Sequence, residues 1–198
     1  MLDEINRSSL VLASVSPRRS ELMRDAGFQF EIIAPDVEEA HDESLTCEEL
    51  TVANAKLKAL VVATARPHAV VIAADTLVYL DSVPLGKPRN MEDAAAMLRR
   101  LSGRTHEVCT GVAIVPRGGL GVRTFHVISH VTFKTLTDEV IRDYHSRIEP
   151  LDKAGAYAVQ DESVMIIERV EGSWSNVKGL PMERLCEELA ELAMRATR

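Results

Sequence analysis

The sequence predicts an α/β fold with a mixed sheet, because helical patterns alternate with strand-like segments along the whole chain. A continuous apolar run at residues 69–74 is typical of a central strand. Two long strand-like segments, 107–115 and 122–136, flank a turn at residues 116–119 and indicate a hairpin. A chain of 198 residues without repeats fits a single domain, 1–198, or one domain with two lobes around a cleft.

The first predicted helix lies between two strands. Pro17 suits the first turn of a helix, because its missing N–H would have no partner there. Gly27 suits the C-terminal cap of the same helix. The flanking strands are predicted at residues 10–13, which are apolar, and at residues 28–33, which alternate.

A capping box opens the second predicted helix. Thr46 is followed three residues later by Glu49, and each side chain can bond the backbone N–H of the other. This helix is long, rich in Ala, Leu and Lys, and is predicted to end before Pro67. The acidic residues 35–45 ahead of it are predicted to form a loop, and a second hydrophobic stretch follows the central strand at residues 77–80.

The remaining elements are predicted from the same local signals. Asn90 and Thr137 are residue types preferred at helix N-caps, and each stands at the start of a predicted helix. The chain then ends with a strand at residues 164–170 and an amphipathic helix after Pro181.

Charge and cysteine usage narrow the class of protein. The net charge of -7 argues against a general nucleic-acid binder and against an anionic membrane surface. A polyanionic substrate would therefore need locally concentrated basic groups or a divalent cation. Cys47, Cys109 and Cys186 form no CxxC pair, no stretch is apolar enough for a membrane span, and the start of the chain does not resemble a signal peptide. These features predict a reducing compartment, the cytoplasm.

Residues 14–19, with the sequence SVSPRR, are the first segment that could carry chemistry. A helix that begins directly after a strand presents free N–H groups to an anion, and Ser14 could add a hydroxyl. Arg18 and Arg19 add forked donors that match phosphate oxygens. The spacing alone fits a helix cap with solvated arginines equally well.

Asp75 and Lys87 follow predicted secondary structure at points where ligands often bind. Asp75 comes directly after the apolar run, and a carboxylate beyond a strand end can hold a cation or orient a water. The alternative is an aspartate that begins a turn. Lys87 lies between Gly86 and Pro88 and could serve as a point charge for phosphate, but Pro88 excludes a P-loop.

Three further candidates are weaker when each is taken alone. The small residues of the 152–160 segment permit close approach of a ligand, with Lys153 for charge and Gln160 for a base edge. A tightly packed strand entry would explain the same segment. Glu39 in the acidic loop and Lys56 on the capped helix are candidates for which solvated charges are the alternative.

Together and in this order, these segments resemble the Maf family of nucleotide pyrophosphatases. The combination of the arginine motif with the Lys-Ala-Gly-Ala-Tyr segment is highly specific, and the resemblance covers essentially the whole chain. The matching stretches are residues 12–19, 74–76, 86–88, 101–103, 132–133 with 136–137, 152–160 and 179–181.

The resemblance implies a fold of two lobes around a deep cleft, with an elongated mixed sheet flanked by helices as in inosine triphosphate pyrophosphatases. It also implies hydrolysis of a nucleoside triphosphate to the monophosphate and pyrophosphate, a divalent cation (Mg²⁺, Mn²⁺ or Co²⁺) and a homodimer. Arg18, Thr76 and Gln160 match the branch of the family that acts on dTTP and UTP. Asp161 and Glu162 depart from the pattern, because the family often has a glycine-rich stretch there.

These matches assign a role to each candidate residue. Asp75 is expected to act as general base or cation ligand that positions water at the α-phosphorus, with Glu39 as a second carboxylate for the cation. Thr76 and Gln160 are expected to select a pyrimidine base through hydrogen bonds to its edge. The residues expected to hold the triphosphate are Ser14, Arg18, Arg19, Lys56, Lys87 and Lys153.

Two alternatives share most of these residues. The first is the same reaction on a modified or purine triphosphate. The second is a regulator of cell division that binds nucleotides without turning them over. A substrate panel distinguishes the first from a pyrimidine enzyme, and tight binding without release of pyrophosphate would identify the second.

Overall fold

The computed structural model describes residues 9–42, 44–119, 121–159 and 161–196. The strands are β1 (Leu10–Leu12), β2 (Glu31–Ile32), β3 (Val70–Leu80), β4 (Val83–Leu85), β5 (Thr105–Val115), β6 (Arg123–Phe133) and β7 (Ile167–Glu171). The α-helices are α1 (Pro17–Asp25), α2 (Cys47–Ala65), α3 (Met91–Leu101), α4 (Asp138–Arg147), α5 (Trp174–Val177) and α6 (Met182–Ala196). Short 3₁₀ turns lie at Arg117–Gly119, Pro150–Asp152, Ala154–Ala156 and Asp161–Met165.

The strands form one mixed sheet, which confirms the predicted α/β class. The 7-stranded sheet has the order β2-β1-β3-β5-β6-β7, with β4 paired to β3. Strand β1 runs parallel to β2 and to β3, whereas β4 is antiparallel to β3 and β7 is antiparallel to β6. Strands β5 and β6, the two arms of the predicted hairpin, are neighbours in the sheet.

The chain divides into two compact units, each described by its own core. The first consists of Met1–Thr76, Thr110–Val127 and Gly179–Arg198, and the second of Leu77–Cys109 and Ile128–Lys178. Strands β3, β5 and β6 contribute residues to both units. In the part of the chain that the structure describes, no helix is both long and apolar enough to cross a membrane.

The first unit buries both faces of its sheet. Alternate residues of a strand point to opposite faces, so the apolar runs of β1, β3 and β5 supply two separate cores. On one face Ile72 lies in a cluster with Leu185 and Leu189 of α6. On the other face Val71 lies in a cluster with Ala59 of α2. Helices therefore cover this part of the sheet on both sides.

Helix α2 lies directly against the backbone of strand β5. A Cβ atom placed on Gly111 would lie 2.3 Å from the backbone carbon of Thr51 and 2.4 Å from the backbone nitrogen of Val52. Real Cβ atoms do not approach backbone this closely. The absence of a side chain at position 111 is what lets the helix reach the sheet.

The core of the second unit contains a buried aromatic group. His106, Phe133 and Tyr157 meet edge to face, with ring centroids 4.9 to 5.3 Å apart. His106 Nε2 lies 2.8 Å from the Tyr157 hydroxyl, whereas its Nδ1 has no hydrogen-bond partner among the described residues. The surrounding apolar cluster includes Val78 and Tyr144.

The predicted helix starts are confirmed by their caps. Thr46 and Glu49 form both hydrogen bonds of the capping box at α2. Asn90 and Thr137 accept hydrogen bonds from backbone N–H groups at the starts of α3 and α4. Pro17 occupies the first turn of α1, as expected.

The prediction that a strand ends at Ala74, directly before Asp75, is wrong, because β3 runs unbroken over Val70–Leu80. Asp75 and the residues up to Leu80 keep extended backbone. The segment contains no Gly or Pro that would break it, and its last residues pair with β4. Asp75 therefore lies inside a long strand and not beyond its end.

Other element bounds differ from their predictions for local reasons. The predicted strand 28–33 contains only Glu31–Ile32, since the short β1 offers it just two pairing positions. The predicted strand 164–170 begins later, at Ile167–Glu171, because Asp161–Met165 forms a 3₁₀ turn. The short helix α5 was not predicted.

Burial of His106 makes the stability of the fold sensitive to acid. Its side chain is 2% exposed, and this desolvation lowers its pKa from 6.5 to about 4. Between these two pKa values the unfolded chain binds a proton that the folded chain does not, so stability falls as pH decreases. We expect this residue to lower the free energy of unfolding by about 2 kcal/mol between about pH 7 and about pH 4.5.

Urea unfolding of the wild type and His106→Gln at both pH values measures this difference. The variant should lose about 2 kcal/mol less on acidification, while all other titrating groups are common to the two proteins. Equal acid sensitivity in both proteins would contradict the assignment to His106.

Candidate active site

Asp75 and Thr76 are neighbours on β3 whose side chains point to opposite faces of the sheet. They lie between Ile72, which pairs with β1, and Val78, which pairs with β4. By alternation Asp75 shares the face of Val71, which is covered by α2, and Thr76 shares the face of Ile72. Two clusters of polar residues therefore form, one on each face.

The first cluster fixes the carboxylate of Asp75. Its Oδ1 lies 2.8 Å from the ammonium of Lys58, and its Oδ2 accepts a hydrogen bond of 3.2 Å from the amide of Asn54. Asn54 and Lys58 are four residues apart and share one face of α2. Asp75 is 5% exposed and Lys58 6%. These contacts use part of the lone-pair capacity of the carboxylate and leave acceptor positions for a water or a cation.

Glu39 joins this cluster from the acidic loop. Its Oε1 lies 2.8 Å from the same Lys58 ammonium, and its side chain is 45% exposed. Asn54 also holds the loop, because its amide accepts a hydrogen bond from Ala40 N (2.8 Å) and donates one to Ala40 O (3.2 Å). Two carboxylates thus converge on one ammonium, which formally leaves one negative charge unbalanced.

The chemistry of this cluster fits a divalent cation that a substrate helps to bind. Carboxylate oxygens are the ligands that Mg²⁺ prefers, and proteins often supply only one or two of them, with phosphates and water completing the set. Among residues 9–42, 44–119, 121–159 and 161–196, no group of three or more His, Cys, Asp or Glu side chains could hold a metal ion without such help. Glu39 and Asp75 match that two-carboxylate pattern.

The second cluster is built around Arg19. Its Nε donates to Gly179 O (2.8 Å), Nη1 to Ser14 Oγ (3.2 Å) and Nη2 to Thr76 Oγ1 (3.0 Å). The Thr76 hydroxyl in turn lies 3.0 Å from that of Thr110. Burial lowers the pKa of Arg19, an effect that Asp75 opposes, and a guanidinium remains charged at any working pH. Two of its five N–H groups are left over for an anion.

The start of α1 lies beside this guanidinium. Ser16 is the N-cap residue and makes no side-chain cap, and Ser14 Oγ accepts a hydrogen bond from its N–H (3.2 Å). The first backbone bond of the helix runs from Ser20 N to Ser16 O, so the N–H groups of Arg18 and Arg19 lie ahead of it. This arrangement suits a phosphate, and phosphate binding at the start of α1 stays a prediction.

The second unit contains Lys87 and Lys153, two of the lysines that are predicted to bind the triphosphate. Lys153 is 8% exposed, and its ammonium donates to Glu149 O (2.6 Å) and to Asp152 Oδ1 (2.5 Å), so one of its three N–H groups is left over. Lys87 is exposed. The N–H of Gly155 donates to the carbonyl next to Lys87, that of Gly86, over 3.1 Å, which ties the two lysine segments together.

Two members of the Asp75 cluster were missed from the sequence. Lys56 is the lysine predicted on α2, and its side chain is exposed, whereas Lys58 is the lysine that contacts Asp75. The usable signal was the spacing of Asn54 and Lys58, which places both on the helix face of the buried Ala55 and Ala59.

The arginine that contacts Thr76 is Arg19, whereas the side chain of Arg18, the predicted branch marker, is partly exposed. Gln160, the predicted reader of the base edge, lies outside the described residues. The Gly179-Leu180-Pro181 stretch, which matched the family pattern, belongs to the Arg19 cluster, because the Gly179 carbonyl accepts the hydrogen bond from Arg19 Nε.

Comparison with known proteins identifies the family of this chain. Residues 9–192 match the family model described as "Maf-like protein". The chain is 47% identical to the dTTP/UTP pyrophosphatase of Akkermansia muciniphila over 94% of this chain and 98% of that one. It is 43% identical to that of Desulforamulus reducens (91% and 94% covered) and 46% identical to that of Caldicellulosiruptor bescii (89% and 90%). The chain therefore belongs to the Maf family.

Proposed function

We propose that this chain hydrolyses the pyrimidine nucleoside triphosphates dTTP and UTP to the monophosphate and pyrophosphate. The observation that carries the proposal is the buried Asp75 carboxylate, fixed by Lys58 and Asn54 and accompanied by Glu39. Relatives at 43 to 47% identity bear the name dTTP/UTP pyrophosphatase, which supports both the reaction and the substrates.

Asp75 is the general base of the proposed reaction. A water hydrogen-bonded to its carboxylate attacks the α-phosphorus, and the carboxylate takes the proton as the new oxygen–phosphorus bond forms. The bond from the α-phosphorus to the oxygen that bridges to the β-phosphate breaks, and pyrophosphate leaves with that oxygen. The fixed position of Asp75 supports this role, because a base must be held within hydrogen-bond reach of the attacking water.

Positive groups stabilise the charge that builds on the departing pyrophosphate. Arg19 and the N–H groups at the start of α1 form the anion site of the first unit, with Arg18 beside them. Lys87 and Lys153 of the second unit stay predicted ligands of the phosphates. Such preorganised donors act most strongly where water is excluded.

A divalent cation, Mg²⁺, Mn²⁺ or Co²⁺, is part of the proposal. Glu39 and Asp75 would hold it, and it would supply charge neutralisation and polarisation of the phosphate oxygens. Both carboxylates contact the Lys58 ammonium, which supports the proposal because it brings the two acidic side chains together at one point.

We assign selection of the base to Thr76 with Gln160, as the resemblance implies. The Thr76 hydroxyl supports this assignment indirectly, because it orients Arg19 and so couples the base-reading position to the phosphate site.

We also propose a cytoplasmic homodimer. The wide spacing of Cys47, Cys109 and Cys186, which form no CxxC pair, suits a reducing compartment. Light scattering measures the assembly, and cell fractionation measures the location.

A panel of triphosphates tests the proposed function. We expect pyrophosphate release from dTTP and UTP with kcat/KM at least about 10²-fold above that for purine triphosphates, because buried polar groups that read one base are left unpaired by another. Equal rates on purine triphosphates would remove the substrate assignment. Tight binding with no pyrophosphate release in any divalent cation would remove the reaction itself.

Substitution of the two lysines of α2 tests the Asp75 cluster. We expect Lys58→Met to lower kcat/KM by about 10²-fold or more, because Asp75 and Glu39 lose the ammonium group that fixes their positions. Lys56→Met is the matched control for loss of a lysine from α2 and should stay within about twofold, since Lys58 is the lysine that contacts Glu39 and Asp75. Asp75→Asn should lower kcat by about 10² to 10⁴-fold with the fold intact.

Circular dichroism and thermal unfolding show whether Lys58→Met still folds, because breaking a buried ion pair also destabilises. Full activity of Asp75→Asn, or equal loss from the two lysine variants, would contradict the assignment.

Titration with Mg²⁺ tests the role of Glu39. Activity should disappear in EDTA and return with Mg²⁺. Glu39→Gln should raise the Mg²⁺ concentration for half-maximal activity by about tenfold, because cation affinity follows the charge of the ligands. Glu38→Gln is the control, since Glu38 is its exposed neighbour and contributes nothing to the Lys58 cluster. Identical Mg²⁺ dependence in both variants would exclude Glu39 as a ligand.

A further inference from the structure

Two consecutive residues of α4 hold the backbone of the segment that follows Lys153. The Tyr144 hydroxyl accepts a hydrogen bond from Ala158 N (3.0 Å) and lies 3.1 Å from Ala158 O, to which it donates. His145 Nε2 lies 3.2 Å from Ala156 O, and because a carbonyl only accepts, Nε2 is the donor. Both side chains are buried. Neither takes part in the proposed chemistry.

The backbone that these residues hold is in an unfavourable conformation. Gly155 and Ala156 have φ angles of +70° and +61°, in the left-handed region. Glycine adopts this conformation readily, but a residue with a Cβ atom does so only when its surroundings impose it. The hydrogen bond from His145 to the carbonyl of Ala156 is part of that imposed geometry.

The turn at Gly155 and Ala156 is also fixed by contacts with Tyr157 and with Gly86. The ring of Tyr157 would lie 3.3 Å from a Cβ atom on Gly155, which leaves little room for a side chain there. The Tyr157 hydroxyl lies 2.8 Å from His106 Nε2 in the core. Gly155 N–H donates to Gly86 O, next to Lys87. The conformation of this turn therefore sets the positions of both Lys153 and the Lys87 loop.

We propose that Tyr144 and His145 are positioning residues that hold the turn after Lys153, and with it Lys153 and the Lys87 loop, in the conformation that binds the triphosphate. The inference rests on the proposed function, because it takes the two lysines as phosphate ligands. Tyr144 and His145 act through the backbone of residues 156 and 158 and touch no substrate. A segment that is already ordered loses no conformational entropy when the triphosphate binds, so the affinity for the triphosphate is higher.

Loss of a positioning residue should weaken substrate binding more than it slows the reaction. We expect Tyr144→Phe and His145→Leu each to raise KM for dTTP by about tenfold with kcat within about twofold, because the interaction is made equally in ground and transition states. His145→Gln should restore KM to within about twofold of wild type, since the glutamine amide can donate from nearly the position of Nε2.

Ile141→Val is the matched control for stability. Ile141 is buried on the same helix and makes no hydrogen bond to the turn, so this variant should lower the melting temperature with KM unchanged. If Tyr144→Phe does not fold, the His145→Leu and His145→Gln pair decides the question. A KM that follows the melting temperature in all variants, Ile141→Val included, would overturn the proposal.

A double-mutant cycle identifies what the two residues act through. In a background that carries both Lys87→Ala and Lys153→Ala, His145→Leu should change KM by less than about twofold, since both groups that it positions are already gone. A full tenfold effect in that background would overturn the proposal. A wild-type protein that releases no pyrophosphate from any triphosphate would instead refute the proposed function, and the two failures are therefore distinguishable.

Discussion

The ammonium of Lys58 between Asp75 and Glu39 is the interaction on which the first unit's site depends. Two carboxylates that contact the same ammonium repel each other, and Asp75 is buried, so the charge of Asp75 requires a nearby cation. Lys58 is itself buried, and its charge requires carboxylates as much as they require it. Helix α2, the acidic loop and strand β3 are therefore held at one point by mutual neutralisation, with Asn54 satisfying the polar groups that remain.

The pleat of β3 then divides the chemistry between two faces. Asp75 and Thr76 are adjacent in sequence, yet one supports a carboxylate cluster and the other a guanidinium cluster around Arg19. A single paired strand therefore sets the offset between the carboxylate proposed as the base and the guanidinium proposed to bind phosphate. Because the strand is paired on both sides of this dipeptide, neither residue can move without disturbing the sheet.

Local signals in the sequence predicted most of the fold and only part of the site. Caps at Thr46, Asn90 and Thr137 depend on a few adjacent residues, so they could be predicted from the chain alone. The distinction between Lys56 and Lys58 depends on which face of α2 meets the sheet, and that helix has apolar residues on several sides. The path of β3 through Asp75 depends on its position in the sheet between β1 and β5, two strands that are distant from it in sequence.

Gly111 carries no functional group, yet it limits which sequences can keep this site. Any side chain there would meet the backbone of α2 at Thr51, and the helix that would have to move is the one that carries Asn54 and Lys58. A homologue could retain every charged residue of the site and still misplace them by gaining a single methyl group. Whether a relative has kept the activity should therefore be judged by the residue that it has at position 111 as well as by its charged site residues.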